Sequence, residues 1–150
     1  MSNVFQVTDH VKKKNTILTE CRTSSAPRKL KIEINTNFTF SETEECIAWS
    51  KFSQLQVLTT SIRLDKMVQL KIDALLDRKE IRDAFDLEYL IRKGFSIIES
   101  QDKTQKLKKV INGFSKMDFK VKLGSILLPK ERDYYNQSGF KFLLEHLTHL

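Results

Sequence analysis

The sequence predicts an α+β fold, in which a small antiparallel or mixed sheet comes first and a mostly helical bundle follows. Residues 29–35 alternate between apolar and polar side chains, which is the period of a strand. After about residue 61, apolar side chains recur at steps of three and four, which is the period of a helix. We expect one domain over residues 1–150, with a sheet region over 1–60 and a helical region over 61–150.

The N-terminal 28 residues form a polar segment, rich in Lys, Thr and Ser. Val4, Phe5 and Val7 can form one short strand, and residues 17–18 can form another. Because polar segments near a terminus bury little apolar surface, the remainder is expected to be loosely held.

Residues 29–35 are the best strand candidate in the chain. Leu30, Ile32 and Ile34 point to one face, and Glu33 lies on the polar face. Glu33 is therefore either a surface residue or a rigidly held carboxylate of the kind that a hard cation requires. Beyond this strand, Phe38 and Phe40 continue the alternation, and residues 54–58 can form a further strand.

Several helices are expected in the second part of the chain. A Thr or Ser within residues 59–61 can cap a helix that runs to about residue 76. A second helix runs to about residue 93 and is followed by Gly94, which suits a C-terminal cap. Further apolar patterns cover residues 103–114, 117–128 (ending before a proline) and 140–150.

The corner between the two central helices is unusually rich in charge. Lys71 shares a mostly apolar helix face, where a cation needs an anionic partner or a path to solvent. Asp77 and Glu80 have the spacing of a capping box, which would place Arg78 and Lys79 in the first turn of the second helix. Cations are disfavoured there by the helix dipole, so another group must hold them.

The second helix adds an i,i+4 pair, Arg82 and Asp86. From the pattern alone, the charges either brace a helical hairpin, at about 0.3–0.5 kcal/mol for each exposed pair, or form a functional site. The corner gathers Lys71, Arg78, Arg82, Asp83 and Asp86.

The same corner carries a long and specific spacing. It reads Lys-x-x-Ala-Leu-x-x-Arg-x-x-x-Arg-Asp-x-Phe-Asp-Leu-x-x-Leu, from Lys71 to Leu90. Residues 123–129 and 140–144 add Leu-Gly-Ser-Ile-Leu-Leu-Pro and Phe-Lys-Phe-Leu-Leu. These patterns resemble the AbiEii/AbiGii abortive-infection nucleotidyltransferase toxins, from about residue 29 to the end of the chain.

The resemblance implies an enzyme that uses Mg²⁺ and a nucleoside triphosphate to transfer a nucleotide to an RNA such as tRNA. It also implies a type IV toxin–antitoxin system with a role in phage defence, and therefore a cognate antitoxin. Lys71 would neutralise triphosphate charge, and Asp83 or Asp86 would position a nucleophile or orient Lys71. Arg78 and Arg82 would hold phosphate or brace the aspartates.

The metal-binding part of the family pattern is incomplete in this sequence. The family holds Mg²⁺ with an Asp-x-Asp pair, which follows a Gly-Ser turn, and with a third carboxylate on a strand that residues 29–35 resemble. The resemblance would make Glu33 the equivalent of that carboxylate. Here Gly124-Ser125 follows the helical region, no Asp-x-Asp succeeds it, and we expect the pair to form a turn. Asp86 and Glu88 lie two apart on a helix, about 200° around its axis, and cannot chelate one ion.

We therefore expect the downstream portion of such an enzyme, a truncated product that transfers poorly on its own. Its partial nucleotidyltransferase sheet, residues 1–60, would have an exposed edge. Two alternatives remain open, namely a non-catalytic nucleotide- or RNA-binding module and a module that interacts with an antitoxin. A catalytic origin predicts Glu33, Lys71 and Asp86 in one cleft, a binding module predicts a basic face, and an interaction module predicts an exposed apolar edge.

Composition bounds the partners and the compartment. The net charge of +7 indicates either a solvated basic surface or phosphate-bearing partners. Cys21 and Cys46 lack metal-binding spacing, so we expect reduced thiols in a soluble, cytoplasmic protein. Neither a signal peptide nor a membrane-spanning run is evident, and no membrane partner is expected.

Overall fold

The computed structural model describes residues 5–36 and 42–148, without the side chain of Pro27. The chain divides into two compact units, Met1–Ser41 and Glu42–Leu150, and each is described by itself. Expectations for Val4, for Phe38 and Phe40, and for residues 149–150 fall outside the described residues. The order of strands followed by helices confirms the α+β class.

The first unit is a three-stranded antiparallel sheet in the order β1-β2-β3. Its strands are β1 (Gln6–Lys12), β2 (Thr16–Thr23) and β3 (Ala26–Asn35). The predicted strand at residues 29–35 is therefore confirmed and is longer than expected. The prediction of a loosely held N-terminal segment is wrong, because its backbone amides and carbonyls pair in the β1-β2-β3 ladder even though its side chains are polar.

The second unit begins with an antiparallel hairpin of β4 (Thr43–Ser50) and β5 (Ser53–Ile62). The expected strand at residues 54–58 is confirmed. The prediction that a residue within 59–61 caps the next helix is wrong, because these residues continue β5 and pair with β4. The hairpin exposes apolar side chains on both strands, namely Ile47, Trp49, Leu55, Val57 and Leu58.

Within the described residues that follow the hairpin, there are five α-helices and one π-helical segment. They are α1 (Leu64–Arg78), α2 (Ile81–Arg92), α3 (Gln101–Asn112), the π-helical segment (Asp118–Leu123), α4 (Pro129–Ser138) and α5 (Lys141–Thr148). The four helices expected at α1, α2, α3 and α5 are confirmed, whereas α4 was not anticipated. Pro129 occupies its first turn, where a missing N–H does no harm.

The apolar stripes of these helices form the core of the second unit. Most of its fully buried members come from α1, α2, α3 and α5, and two of them are the α5 residues that the sequence places on one face. The π-helical segment and the connection between α2 and α3 add one each. Burial of each such side chain contributes about 1.5–3 kcal/mol. The largest apolar members are Ile72, Leu75, Ile81, Leu87, Ile97, Leu107, Leu123, Leu143 and Leu147.

The turn after the π-helical segment requires glycine. The Gly124 amide donates to the Phe119 carbonyl at 2.9 Å, and a Cβ added to Gly124 would lie 2.3 Å from the Lys120 carbonyl oxygen. No side chain fits that space, since non-bonded carbon and oxygen atoms do not approach so closely. The expected turn at Gly124-Ser125 is confirmed.

Candidate functional site

The backbone at the α1–α2 corner differs from the expected capping box. Helix α1 continues to Arg78, Lys79 adopts the left-handed conformation with φ 54°, and its amide donates to the Leu75 carbonyl. Glu80 is the extended N-cap of α2 and its side chain makes no cap bond. The predicted box is wrong because Asp77 remains inside α1. Arg78 thus lies in the last turn of α1, where the dipole favours a cation.

Lys71 links the two helices through carboxylates of α2. Its Nζ lies 2.5 Å from Asp86 Oδ2 and 3.6 Å from Asp83 Oδ1, and a quarter of its side chain is exposed. The anionic partners required by a lysine on an apolar face are therefore these two aspartates. The ammonium sits between two carboxylates at a partly buried position.

Asp83 is the buried member of the site, with 3% of its side chain exposed. Its Oδ1 accepts a hydrogen bond of 2.7 Å from Arg78 Nη2. Its Oδ2 is buried and has no hydrogen-bond partner in the described part of the chain. An unsatisfied buried acceptor costs about 1–3 kcal/mol. Asp83 Oδ2 therefore keeps an acceptor position that no described donor fills, a feature that natural proteins tend to confine to functional sites.

Arg82 does not join this network in the way that the sequence suggests. Arg82 is exposed and forms no ion pair with a described carboxylate, because its i,i+4 neighbour Asp86 binds Lys71 instead. Glu33 lies in the first unit, opposite Leu18 on β2 and 3.3 Å from the Lys31 ammonium, with 58% of its side chain exposed.

The corner as it stands is not built for a bare divalent cation. Asp83 and Asp86 are already opposed by Lys71 and Arg78, so two carboxylates face two cations. Over residues 5–36 and 42–148, no three His, Cys, Asp or Glu side chains cluster as metal ligands. The corner therefore does not fit a Mg²⁺ ion held by protein side chains alone.

A second buried network, centred on Glu88, was not recognised from the sequence. Glu88 is fully buried; its Oε1 accepts from Arg92 Nε at 3.1 Å and from the Tyr135 hydroxyl at 3.0 Å, and its Oε2 accepts from the Leu143 amide at 3.2 Å. The i,i+4 spacing of Glu88 and Arg92 signals part of this network. Tyr135 and Leu143 are distant in sequence and carry no such signal.

The two titratable partners of Glu88, Arg92 and Tyr135, both have raised pKa values. Burial, followed by the charge and hydrogen bond of Glu88, raises the pKa of Tyr135 above its usual range. Burial lowers the pKa of Arg92, but the hydrogen bonds and charge of Glu88 outweigh it, so that the net effect raises the pKa. Both groups therefore keep their protons and donate to Glu88.

Cys21 and Cys46 are free thiols. In the described part of the chain, no helix combines the length and the apolar character needed to cross a bilayer.

The fold and the corner together define an α+β protein in which a partly buried lysine of α1 lies between two aspartates of α2. The sequence model of the family described as "Nucleotidyl transferase AbiEii toxin, Type IV TA system" matches residues 4–142. The chain belongs to this family, which confirms the resemblance and extends it towards the N-terminus. Comparison with curated proteins and with solved structures finds no match.

Proposed function

We propose that this chain binds a nucleoside triphosphate at the α1–α2 corner and takes part in nucleotide transfer to an RNA such as tRNA. Membership of the toxin family supports the reaction class. The observation that carries the location is Lys71, shared between Asp83 and Asp86 at a position that remains a quarter exposed.

Lys71 is suited to meet a phosphate without leaving its partners. An ammonium has three N–H donors, and the hydrogen bond to Asp86 uses one of them, while Asp83 at 3.6 Å contributes its charge. A remaining donor can face an anionic oxygen, and exposed Arg82 supplies a further charge on the first turn of α2. Nucleotide transfer depends chiefly on such positioning and charge neutralisation.

The two aspartates have different environments and we assign them different roles. Asp86 is 44% exposed, so it can reach an acceptor hydroxyl and position it. Asp83 is 3% exposed and bound to Arg78, so it acts as a positioning residue that orients Lys71 and Arg78. This division favours Asp86 as the carboxylate that meets the acceptor.

The absence of an Asp-x-Asp pair from the sequence limits the reaction proposed for this chain alone. In this proposal Mg²⁺ arrives bound to the nucleotide, and the chain by itself binds the complex but transfers poorly. Glu33 is retained as the candidate carboxylate for the metal in the complete reaction. The type IV description of the family supports an antitoxin as a protein partner.

Calorimetric titration with each Mg²⁺–nucleoside triphosphate tests the corner directly. Lys71→Ala should abolish measurable binding, because it removes the cation and leaves the charges of Asp83 and Asp86 less compensated. Lys66→Ala is the matched control: Lys66 also lies on α1, is 48% exposed, and stands 3.9 Å from Glu42. The control should bind as the unchanged chain does.

The alternative outcomes separate the remaining hypotheses. Equal binding by the unchanged chain and by Lys71→Ala would show that the nucleotide binds elsewhere than at the α1–α2 corner. Absence of binding by a chain shown to be folded would contradict the proposal and favour an interaction module.

The exposed β4–β5 hairpin supports interaction with a partner protein as the second candidate function. A two-stranded hairpin is marginally stable alone, yet this one leaves Trp49 74% and Leu55 76% exposed. A partner that covers these side chains would remove apolar surface from water, so we propose the hairpin as the contact for an antitoxin.

A further inference from the structure

A basic cavity of the second unit, separate from the Lys71 corner, lies between the end of α1, the end of α3 and the π-helical segment. It has a volume of about 590 Å³. Four lysines line it, namely Lys79, Lys106, Lys109 and Lys122. From this cavity we infer a second binding site, which takes a phosphate of a single-stranded nucleic acid together with the adjoining base.

The charge of the cavity favours a polyanion. Four lysines and a single acidic residue, Asp118, leave +3 along its lining. The C-termini of α1 and α3 also reach it, and each helix end weighs about −0.5 charge, which does not reverse the sign. Lys79 and Lys109 form no ion pair with a carboxylate of the described residues, so their charges are uncompensated.

The apolar part of the cavity lining gives a reason to prefer a nucleic acid to other anions. It consists of Leu76, Val110 and Phe114. Phe114 is held by edge-to-face contacts with Phe119 and Phe140, at 6.5 Å and 6.1 Å between ring centroids. Proteins that bind single strands combine such lysines, for the backbone, with an aromatic surface, for the bases.

The backbone conformation of Lys79 is a second, independent observation that supports a binding site at this cavity. Its φ of 54° is left-handed, a region that glycine occupies with less strain and commonly fills after a helix. The connection between α1 and α2 thus keeps a lysine with a strained backbone at the edge of the cavity, as functional sites often do. Helix geometry separates this site from the first, because Leu76 lies about 140° around α1 from Lys71.

Fluorescence anisotropy with a short labelled oligouridine tests the inference on the full chain. The double variant Lys106→Ala/Lys109→Ala should raise Kd by at least about tenfold and lower the salt dependence of binding by about 0.7 per lysine. The control Lys116→Ala/Lys120→Ala removes two exposed lysines that do not line the cavity. Equal losses in the two variants would overturn the inference, because diffuse surface charge would then explain binding.

Lys79→Gly separates a binding role from a structural one. Glycine adopts the observed φ without strain, so the melting temperature should rise or stay constant while oligouridine binding weakens. A higher melting temperature with unchanged binding would contradict a role for Lys79 in the site.

Polyphosphate distinguishes a nucleic acid from phosphate alone. The apolar part of the cavity lining can contact bases, so we expect oligouridine to bind more tightly than polyphosphate of the same charge, through the same lysines. Equal affinities would overturn the assignment to a nucleic acid. Neither result depends on Lys71, so the test is independent of the nucleotide titration.

Discussion

Glu88 shows how a single residue joins separate helices of the second unit. It lies on α2 with no exposed surface, and it accepts hydrogen bonds from Tyr135 of α4 and from the Leu143 amide of α5. The Arg92 guanidinium balances its charge and also lies 4.1 Å from the centre of the Phe142 ring. The Tyr135 hydroxyl, the Leu143 amide and the Arg92 guanidinium therefore all donate hydrogen bonds to this one buried carboxylate.

We predict that Glu88→Ala is among the more destabilising single substitutions in the second unit. It leaves the Tyr135 hydroxyl and the Leu143 amide without their acceptor and opens a cavity, so the free energy of unfolding should fall by about 3 kcal/mol. Urea denaturation measures the change. Glu145→Ala, which affects a 59% exposed carboxylate at 3.8 Å from Lys141, should change stability by less than about 0.5 kcal/mol. Similar losses in both variants would contradict the prediction.

At the scale of elements, the π-helical segment depends on a capping box at its start. The Ser115 amide and hydroxyl donate to Asp118 Oδ2 at 2.9 Å and 2.7 Å, and the Asp118 amide donates back to Ser115 Oγ at 3.2 Å. Lys122 adds an ion pair at 2.8 Å. Its hydrogen bond, with those of Ser115, lowers the pKa of Asp118 to about 2.

This depressed pKa predicts a pH dependence of stability. The pKa of Asp118 falls from an ordinary 3.8 to about 2 on folding, so its contribution is fully present above pH 3.8 and is lost as the pH falls towards 2. Asp118→Asn should lower the free energy of unfolding by about 1 kcal/mol at neutral pH and by less in acid. Acid–urea unfolding of both chains measures this difference.

A direct titration checks the cause. In the carbon NMR signal of the Asp118 carboxyl, Ser115→Ala should move the midpoint upwards, because the variant removes the hydroxyl donor. An unchanged midpoint in Ser115→Ala, or a midpoint near 3.8 in the unchanged chain, would contradict the role given to this box.

At the scale of the whole molecule, the burial of apolar side chains differs strongly between regions of the second unit. Leu87 and Ala84 of α2 have no exposed surface, and Ile91 is 5% exposed. In the β4–β5 hairpin, by contrast, Trp49 and Leu58 are 74% and 67% exposed. Local opening is easiest where few apolar contacts are lost.

We predict that amide hydrogen exchange resolves these two regions. Amides of α2 should be protected close to the stability of the whole unit, whereas those of β4 and β5 should exchange faster by at least about tenfold, because opening the hairpin exposes little additional apolar surface. Exchange followed by mass spectrometry measures both in one sample. Equal protection of the hairpin and α2 would show that the hairpin is stabilised by contacts beyond those described.

The sequence by itself determined the α+β order, strand β3, the position of the central helices and the family. These features depend on the period of apolar residues and on a long fixed spacing, both of which are local in sequence. The sequence indicated only short strands near Val7 and at residues 17–18. The full extent of β1 and β2 was missed because most of their side chains are polar, and their order comes from backbone pairing between strands.

Only the tertiary structure decided which charges meet. The i,i+4 spacing predicted an ion pair between Arg82 and Asp86. Instead, α1 packs against α2 so that Asp86 pairs with Lys71 and Asp83 pairs with Arg78. The Glu88 network and the lysine cavity likewise join residues from separate elements. Periodicity assigns a residue to a face, whereas the partner across that face is set by helix packing, which a local pattern does not encode.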